Sequence, residues 1–328
     1  MTYTLLEKSE SEMNTHRGGY NESRFAYHMN GGKYINKEHR DFEKHHKTAL
    51  DNHHPHESKQ QDDRAKAQVK SFVDHHKKKG YHGVDKVHLT MKPGDIEKHT
   101  GIKATQQENP SDVVVKFKRK PKTAEHHYVG ASLKSSKSKK IGFHNGGLEA
   151  TAKKLGVHKH IMKIVKERHE HLKKQEKLHP TTATAAKQIA GKRGTPTHRA
   201  GPKYDRAMKH TAETNTMIRD HLHKAYQKMH HEHLKNHLVK TFLKANHSHA
   251  LPYVKTHGQG GGSKPAAAHT EDPHDNEHYH AIKKAKKIEI KKSGGSLMSV
   301  HADGKKLFHM QIKHNNGPLT SMKVIGQP

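Results

Sequence analysis

Asn109-Pro110-Ser111-Asp112-Val113-Val114-Val115-Lys116-Phe117 and His127-Tyr128-Val129-Gly130-Ala131-Ser132-Leu133-Lys134 are the two most strand-like stretches of the chain. The first is β-branched and leaves an Asn-Pro-Ser turn signal; the second is an uninterrupted, mostly apolar run that ends on a basic stretch. Upstream, Val87, Leu89 and Met91 alternate as a strand with one buried face, stopped by Pro93-Gly94. A helix is predicted from Lys59 to Lys79. Ala65, Val69, Phe72, Val73 and His76 fall on one of its faces, and Gly80 ends it. Downstream, a helix starts at Leu148 and runs, with an interruption at Gly156, to about Leu178, with Ile161, Ile164, Val165 and Leu172 along one side. The order from residue 59 is helix, strand, strand, strand, helix.

Working outward, residues 1–58 read as a polar N-terminal extension, broken by Gly18-Gly19 and Gly31-Gly32, with a short helix around Glu38–Leu50. Residues 59–178 form the expected core, and 179–254 a helical region. Its long pattern from Tyr204 to Ala245 carries a stripe of Ile218, Leu222, Ala225, Tyr226, Met229, Leu238, Phe242 and Leu243. Residues 255–277, rich in Gly, Pro, Ala and His, read as a flexible linker. Residues 278–328 return to strands, with Ile288 and Ile290 alternating, Phe308, Met310 and Ile312 alternating, and Asp303-Gly304 as a hairpin signal. The expected class is α+β.

Composition narrows the function. Among 328 residues, 62 Lys and Arg against 32 Asp and Glu leave a formal charge of +30, and 39 further residues are His. With an unperturbed pKa near ~6.5, roughly a quarter of the imidazoles would add to that charge at pH 7. Only 30% of residues are hydrophobic and Trp is absent, too little apolar material for one large core. With Cys at 0, a disulfide framework, a thiolate zinc finger, an iron–sulfur site and a Cys nucleophile are excluded. No run approaches the ~18 residues of a membrane span, and Met1 to Glu12 lacks the apolar stretch of a secretory signal, so a cytoplasmic protein with no membrane partner is expected. Such a charge calls for a polyanionic partner, and nucleic acid comes first.

The constellation that could carry chemistry is an acid opening one strand and a lysine closing the next, Asp112 and Lys134. In metal-dependent phosphodiester hydrolysis a carboxylate binds a hard divalent cation, and a nearby ammonium orients water or balances charge. The helix–three-strand–helix order with Pro110-Ser111-Asp112 on the second strand and Ser132-Leu133-Lys134 on the third resembles the PD-(D/E)xK nuclease superfamily. Its Gly130-Ala131-Ser132-Leu133-Lys134 form is similar to a Gly-x-Ser-x-Lys variant of some restriction-type and phage-encoded nucleases. The resemblance spans residues 59–178. It implies an αβββα restriction-endonuclease-like core with a long helical insertion and C-terminal β-strands. It further implies Mg²⁺, with Mn²⁺ as the alternative ion, catalytic roles for Asp112, Lys134 and Ser132, DNA as partner, and, for a phage-encoded enzyme, the host cytoplasm or the virion with other virion proteins.

Two departures stand out: Ser132 occupies the place of the second carboxylate, and one extra residue separates Pro110 from Asp112. A further acid is therefore expected beside Asp112, from Asp63 (or its neighbour Asp62) or from Glu125. Lys116, Lys118, Arg119, Lys137, Lys139 and Lys140 are the expected phosphate-backbone contacts.

Other readings compete. Asp112 could simply cap a turn and Lys134 be one Lys among many, leaving a non-enzymatic basic DNA-binding or virion-associated structural protein. The His groups, His158/His160, His169/His171, His230/His231/His233, His247/His249 and the helical pair His233/His237, suit transition metals, though His this abundant also makes a pH-tunable cationic surface. A His-rich metal-storage protein explains the His but not the Lys excess. Gly258–Gly262 lacks the strand–helix context of a phosphate loop, no Gly-x-Ser-x-Gly elbow is present, and His231-Glu232-His233-Leu234-Lys235 is not the zinc-protease pattern.

Overall fold

A computed structural model of the chain describes residues 10–52, 56–104, 109–135, 143, 145–175, 202–245, 251–314 and 321–327. It divides into two compact units, one of residues 1–141 with 245–276 and the other of 142–244 with 277–328.

In the first unit the predicted strands form the antiparallel meander β1 (His82–Leu89), β2 (Val113–Arg119) and β3 (Tyr128–Ser135), with Leu89 opposite Val113 and Val113 opposite Ala131. β5 (Tyr253–Gly261) then adds parallel to β3, and β6 (Lys264–Glu271) pairs antiparallel with β5. Period-two alternation sends Val113, Val115 and Phe117, and likewise Val129, Ala131 and Leu133, into one core. That core is closed by Phe25, Ala26 and Met29 of α1 (Glu10–Met29) and by Ala65 and Phe72 of α3 (Glu57–Lys78). Phe72 is its hub, edge-on to Phe25 at 5.6 Å and stacked on Phe117 at 6.2 Å. Val114 turns to the other face, where Ile96 of the short α4 (Asp95–Thr100) and Leu251 bury it.

Within the expected extension 1–58, the described residues 10–52 are part of the first unit. They supply α1 and α2 (Lys37–Asp51), which pack on each other and on α3. Asn36 caps α2 by accepting the His39 N–H at 2.8 Å. A polar network joins the three helices. Arg24 of α1 reaches Asp62 of α3 at 2.5 Å and Glu43 of α2 at 3.3 Å, and His28 reaches Asp62 at 2.7 Å.

Residues 255–277, expected as a linker, form β5, β6 and the start of the next segment. The small residues that suggested a linker answer to packing instead. A Cβ on Gly258 would lie 3.0 Å from the Gln68 side chain and 3.2 Å from Arg64, so glycine here lets α3 approach β5 without pushing either side chain aside. The segment 59–178 is likewise not one body, since its helical end belongs to the second unit.

The second unit holds α5 (Leu148–Lys154) and α6 (His158–Gln175), interrupted at Gly156 as the sequence indicates, and α7 (Pro202–Gln227) and α8 (His231–Leu238). The expected 204–245 helix therefore breaks, and α8 runs into a π-helical turn at Val239–Leu243. The sheet order is β4 (Asn145–Gly147), β10 (Met322–Gln327), β9 (Lys305–His314), β8 (Leu297–Ala302), β7 (Ile288–Lys292), all antiparallel. Asp303 and Gly304, at φ 47° and 83°, make the two-residue turn between β8 and β9 that Asp-Gly predicts. Ile218, Leu222 and Tyr226 of α7 are buried, and the helix packs on this sheet. The chain is thus α+β, and no described helix is long and apolar enough to cross a membrane.

Phe72→Ala should destabilise the first unit by about 3–5 kcal/mol in urea unfolding, the usual loss for a buried aromatic; a loss below ~1 kcal/mol would contradict its role as the hub.

Candidate active site

The Asn109-Pro110-Ser111 turn is locked from within and from outside. The Asn109 side chain accepts the Ser111 N–H at 3.1 Å, an Asx-type turn, and donates to the Leu251 carbonyl at 2.8 Å. Asp112 leaves this turn with both backbone groups tied to neighbouring strands: its N–H donates to the Ala131 carbonyl at 2.8 Å, and its carbonyl accepts from Thr90 N–H at 3.1 Å. β2 begins one residue later, so its ladder does not reach the Leu133 N–H of β3. The Asp112 carboxylate takes that position and accepts this N–H at 2.6 Å. One oxygen of a short, fixed side chain is thereby pinned at the strand end.

Lys134 follows on β3, its Nζ 3.9 Å from Asp112 Oδ2 and its side chain 47% exposed. Gln68 of α3 holds the backbone beneath it, donating to the Lys134 carbonyl at 3.1 Å and to Thr256 of β5 at 3.0 Å. Gln68 lies in the buried stripe Gln61, Ala65, Gln68, Phe72, His76, so a polar side chain stands where the helix faces the sheet.

The third group is Glu22 of α1. It precedes Phe25, Ala26 and Met29 by three, four and seven residues, which sets it on the sheet-facing side of the helix. Burial is the main force that pushes its carboxyl up to about 8; the charge of Asp112 adds to this and Lys134 offsets part of it. Asp112 is raised as well, chiefly by burial, against the pull of Lys134 and of the Leu133 N–H. The two carboxylates therefore titrate as an interacting pair beside one ammonium.

Asp112 and Lys134 thus come together as the sequence suggested, but the completing acid is neither of those expected. Asp63 accepts the Gly262 N–H at 3.1 Å, at the turn between β5 and β6. Asp62 is engaged by Arg24, His28 and Lys66. Burial would raise its carboxyl, yet these three bonds outweigh that and hold it well below the usual range. Glu125 is exposed between β2 and β3, at the opposite end of both strands from Asp112 and Lys134, with His126 at 3.8 Å. Ser132 is fully buried and its Oγ has no hydrogen-bond partner among the described residues.

The expected phosphate contacts fare differently. Lys116 pairs with Asp85 at 2.9 Å, and Lys118 and Arg119 are exposed further along β2. At about 3.3 Å per residue they lie roughly 13 to 23 Å from the strand end that carries Asp112. They do not ring the site. Lys137, Lys139 and Lys140 fall outside the described residues, as do His247 and His249. Of the paired histidines, His233 and His237 do not meet as ligands, because the buried His237 bonds Tyr226 Oη at 3.1 Å. Burial, with a smaller push from Lys154, lowers His237 to about 4.

Glu22 is not among the acids singled out from sequence; the signal it carries is its i−3, i−4, i−7 relation to Phe25, Ala26 and Met29, which puts an acid on the apolar side of a helix without saying which strand end it meets. Gln68 carries the same signal on α3. No family model matches the chain, and no curated protein or solved structure matches it.

Because the folded chain keeps a proton on Glu22 between its ordinary 4.5 and about 8, while the unfolded chain releases it, the group makes stability fall as pH rises through that window. Glu22→Gln should therefore unfold at a higher temperature than wild type at pH 8.5 in EDTA, with the gap closing toward pH 4.5. A gap independent of pH would show that Glu22 is not a strained carboxylate.

Proposed function

We propose that the protein is a divalent-metal-dependent nuclease that hydrolyses phosphodiester bonds, with Glu22, Asp112 and Lys134 at its centre and DNA as its substrate. The observation that carries this reading is the convergence of two carboxylates from distant parts of the chain, both held above their ordinary range, beside a half-exposed ammonium. Burial raises both of these acids, whereas the structural network of Asp62 with Arg24, His28 and Lys66 lowers its acid, and carboxylates shifted upward at a partly open place are candidates for chemistry.

The donor set fits Mg²⁺ or Mn²⁺. Both carboxylates offer hard oxygens, and a divalent cation would offset the burial that raises both of them and the smaller repulsion from Asp112 that adds to it at Glu22. Glu22 and Asp112 would hold the ion; when bound, it supplies charge neutralisation at phosphate and a more acidic water. The remaining work falls to the chain. The Leu133 N–H fixes the direction of the Asp112 carboxylate. Lys134 balances negative charge developing on the phosphate. Gln68 holds the β3 and β5 backbones on which Lys134 stands, so the ammonium is aimed from a rigid platform.

The pattern resembles PD-(D/E)xK nucleases, with a helical glutamate in place of the carboxylate that Ser132 lacks, and this supports reading β1 to β3 with α1 and α3 as a restriction-endonuclease-like core. A net charge of +30 would gather the polyanion, and affinity should fall steeply with salt.

On plasmid DNA with Mg²⁺, Glu22→Gln, Asp112→Asn and Lys134→Ala should each slow cleavage by about 10²-fold or more, with circular dichroism unchanged. If all three cut as fast as wild type, the site is misassigned. If wild type binds DNA but no metal elicits cleavage, the charge serves a non-enzymatic binding protein instead.

A further inference from the structure

A second constellation lies on the outer helices, and the carboxylate site does not absorb it. His16 of α1 and the adjacent His45 and His46 of α2 place one ring nitrogen each within 4.8 Å of the others. His16 Nδ1 and His46 Nδ1 are 3.0 Å apart. On a tetrahedral zinc ion with bonds of about 2.0–2.1 Å, two ligand nitrogens lie roughly 3.3–3.4 Å apart, so this pair is already close to ligand spacing. The third imidazole, His45, places its ring nitrogen within 4.8 Å of both.

The cluster is built into the helix pair. One turn beyond His16, a Cβ on Gly19 would lie 2.4 Å from His46 Nε2, so α1 carries no side chain at the spot where this ring lies. Phe42, one turn before His46, packs edge-on against the same ring at 4.5 Å. His46 is thus buried and oriented, while His45 is exposed and lines an open groove with Asp41, Lys44 and Thr48. Two of the nearby cations are paired, Arg17 with Glu57 and Lys47 with Asp51 at 2.5 Å, while Lys44 is exposed in the groove beside His45. Neutral imidazoles on two helices are a donor set for a borderline transition ion, not for Mg²⁺.

We infer that His16, His45 and His46 form a transition-metal site of the zinc type that fastens α2 to α1, with solvent on the fourth position. This assignment is independent of the nuclease reading, because its donors, its ion and its place on the helices all differ. It also separates one specific site from the many His pairs of a His-rich chain.

The test is Zn²⁺ competition against a chromophoric chelator on the full-length protein, together with thermal unfolding with and without Zn²⁺. Wild type should hold one Zn²⁺ more tightly than any other, and that ion should raise the unfolding temperature. His16→Ala and His45→Ala should each weaken this tightest binding at least tenfold and abolish the thermal shift. His233→Ala should leave both unchanged. Since His45 is exposed, its replacement tests the site without disturbing the helix packing. Equal Zn²⁺ affinity in wild type and His45→Ala, or loss of tight binding in His233→Ala, would overturn the assignment.

Discussion

What happens at the strand ends depends on where α1 sits, and alongside the burial of Phe25, Ala26 and Met29 one guanidinium fixes that seating. Arg24 lies between Asp62 of α3 and Glu43 of α2, mostly removed from solvent. A charge in that position is tolerated only with its partners in place, because an unpaired buried ion costs several kcal/mol. Sliding α1 along the sheet would strip Arg24 and Glu43 of their ionic partner and leave Asp62 with Lys66 alone, so the network favours one seating. Glu22, two residues earlier on the same helix, inherits its place beside Asp112 from that seating.

Asp62 and Glu22 make an instructive contrast. Both are acids on the helical layer over the sheet, and both are taken largely out of water. Asp62 has Arg24, His28 and Lys66 around it and is held far below its ordinary range. Glu22 shares a single lysine with a second carboxylate and is pushed up to about 8. The first arrangement stabilises the fold. The second destabilises it, and positions that break a local rule without structural gain are where function is expected. The histidines divide along similar lines. His76 is pushed down to about 3 by burial, then by His75 and Lys79, and it packs among Phe72, Tyr81 and Phe117 at ring distances of 4.4 to 5.5 Å. In a chain with no Trp and 7 Phe, such neutral imidazoles serve as core aromatics, so the His excess is not only a cationic surface.

Much of the first unit could be read from pattern. Val113 to Phe117 and Val129 to Leu133 alternate cleanly, and α3 carries its apolar stripe within a residue or two of the expected bounds. Asp112 and Lys134 were legible for the same reason, as polar residues bounding two such strands. The failures have identifiable causes. Gly18-Gly19 looked like a break in a polar tail, whereas Gly19 lies inside α1, where His46 of another helix leaves no room for a side chain. The glycines of β5 looked like a linker because their reason, the approach of α3, lies nearly two hundred residues away in sequence. Asp63 on the preceding helix and Glu125 close to the motif are the acids that element order and nearness offer, and neither says which helix crosses a strand end.

Alternation and helical periodicity are local, carried by neighbours within a few residues, so the sequence by itself determined the strands, most of the helices, the Asp-Gly hairpin and the pairing of an acid with a lysine across β2 and β3. It also determined that the chain is strongly cationic and without thiol chemistry. Only the tertiary structure decided which acid completes the pair, that a parallel strand from residues 253–261 borders Lys134, and that three imidazoles from two helices meet. Those outcomes follow from long-range packing: burying Phe25, Phe72 and Phe117 together, while satisfying Arg24, leaves one arrangement of α1 on the sheet, and no pattern confined to either segment encodes it.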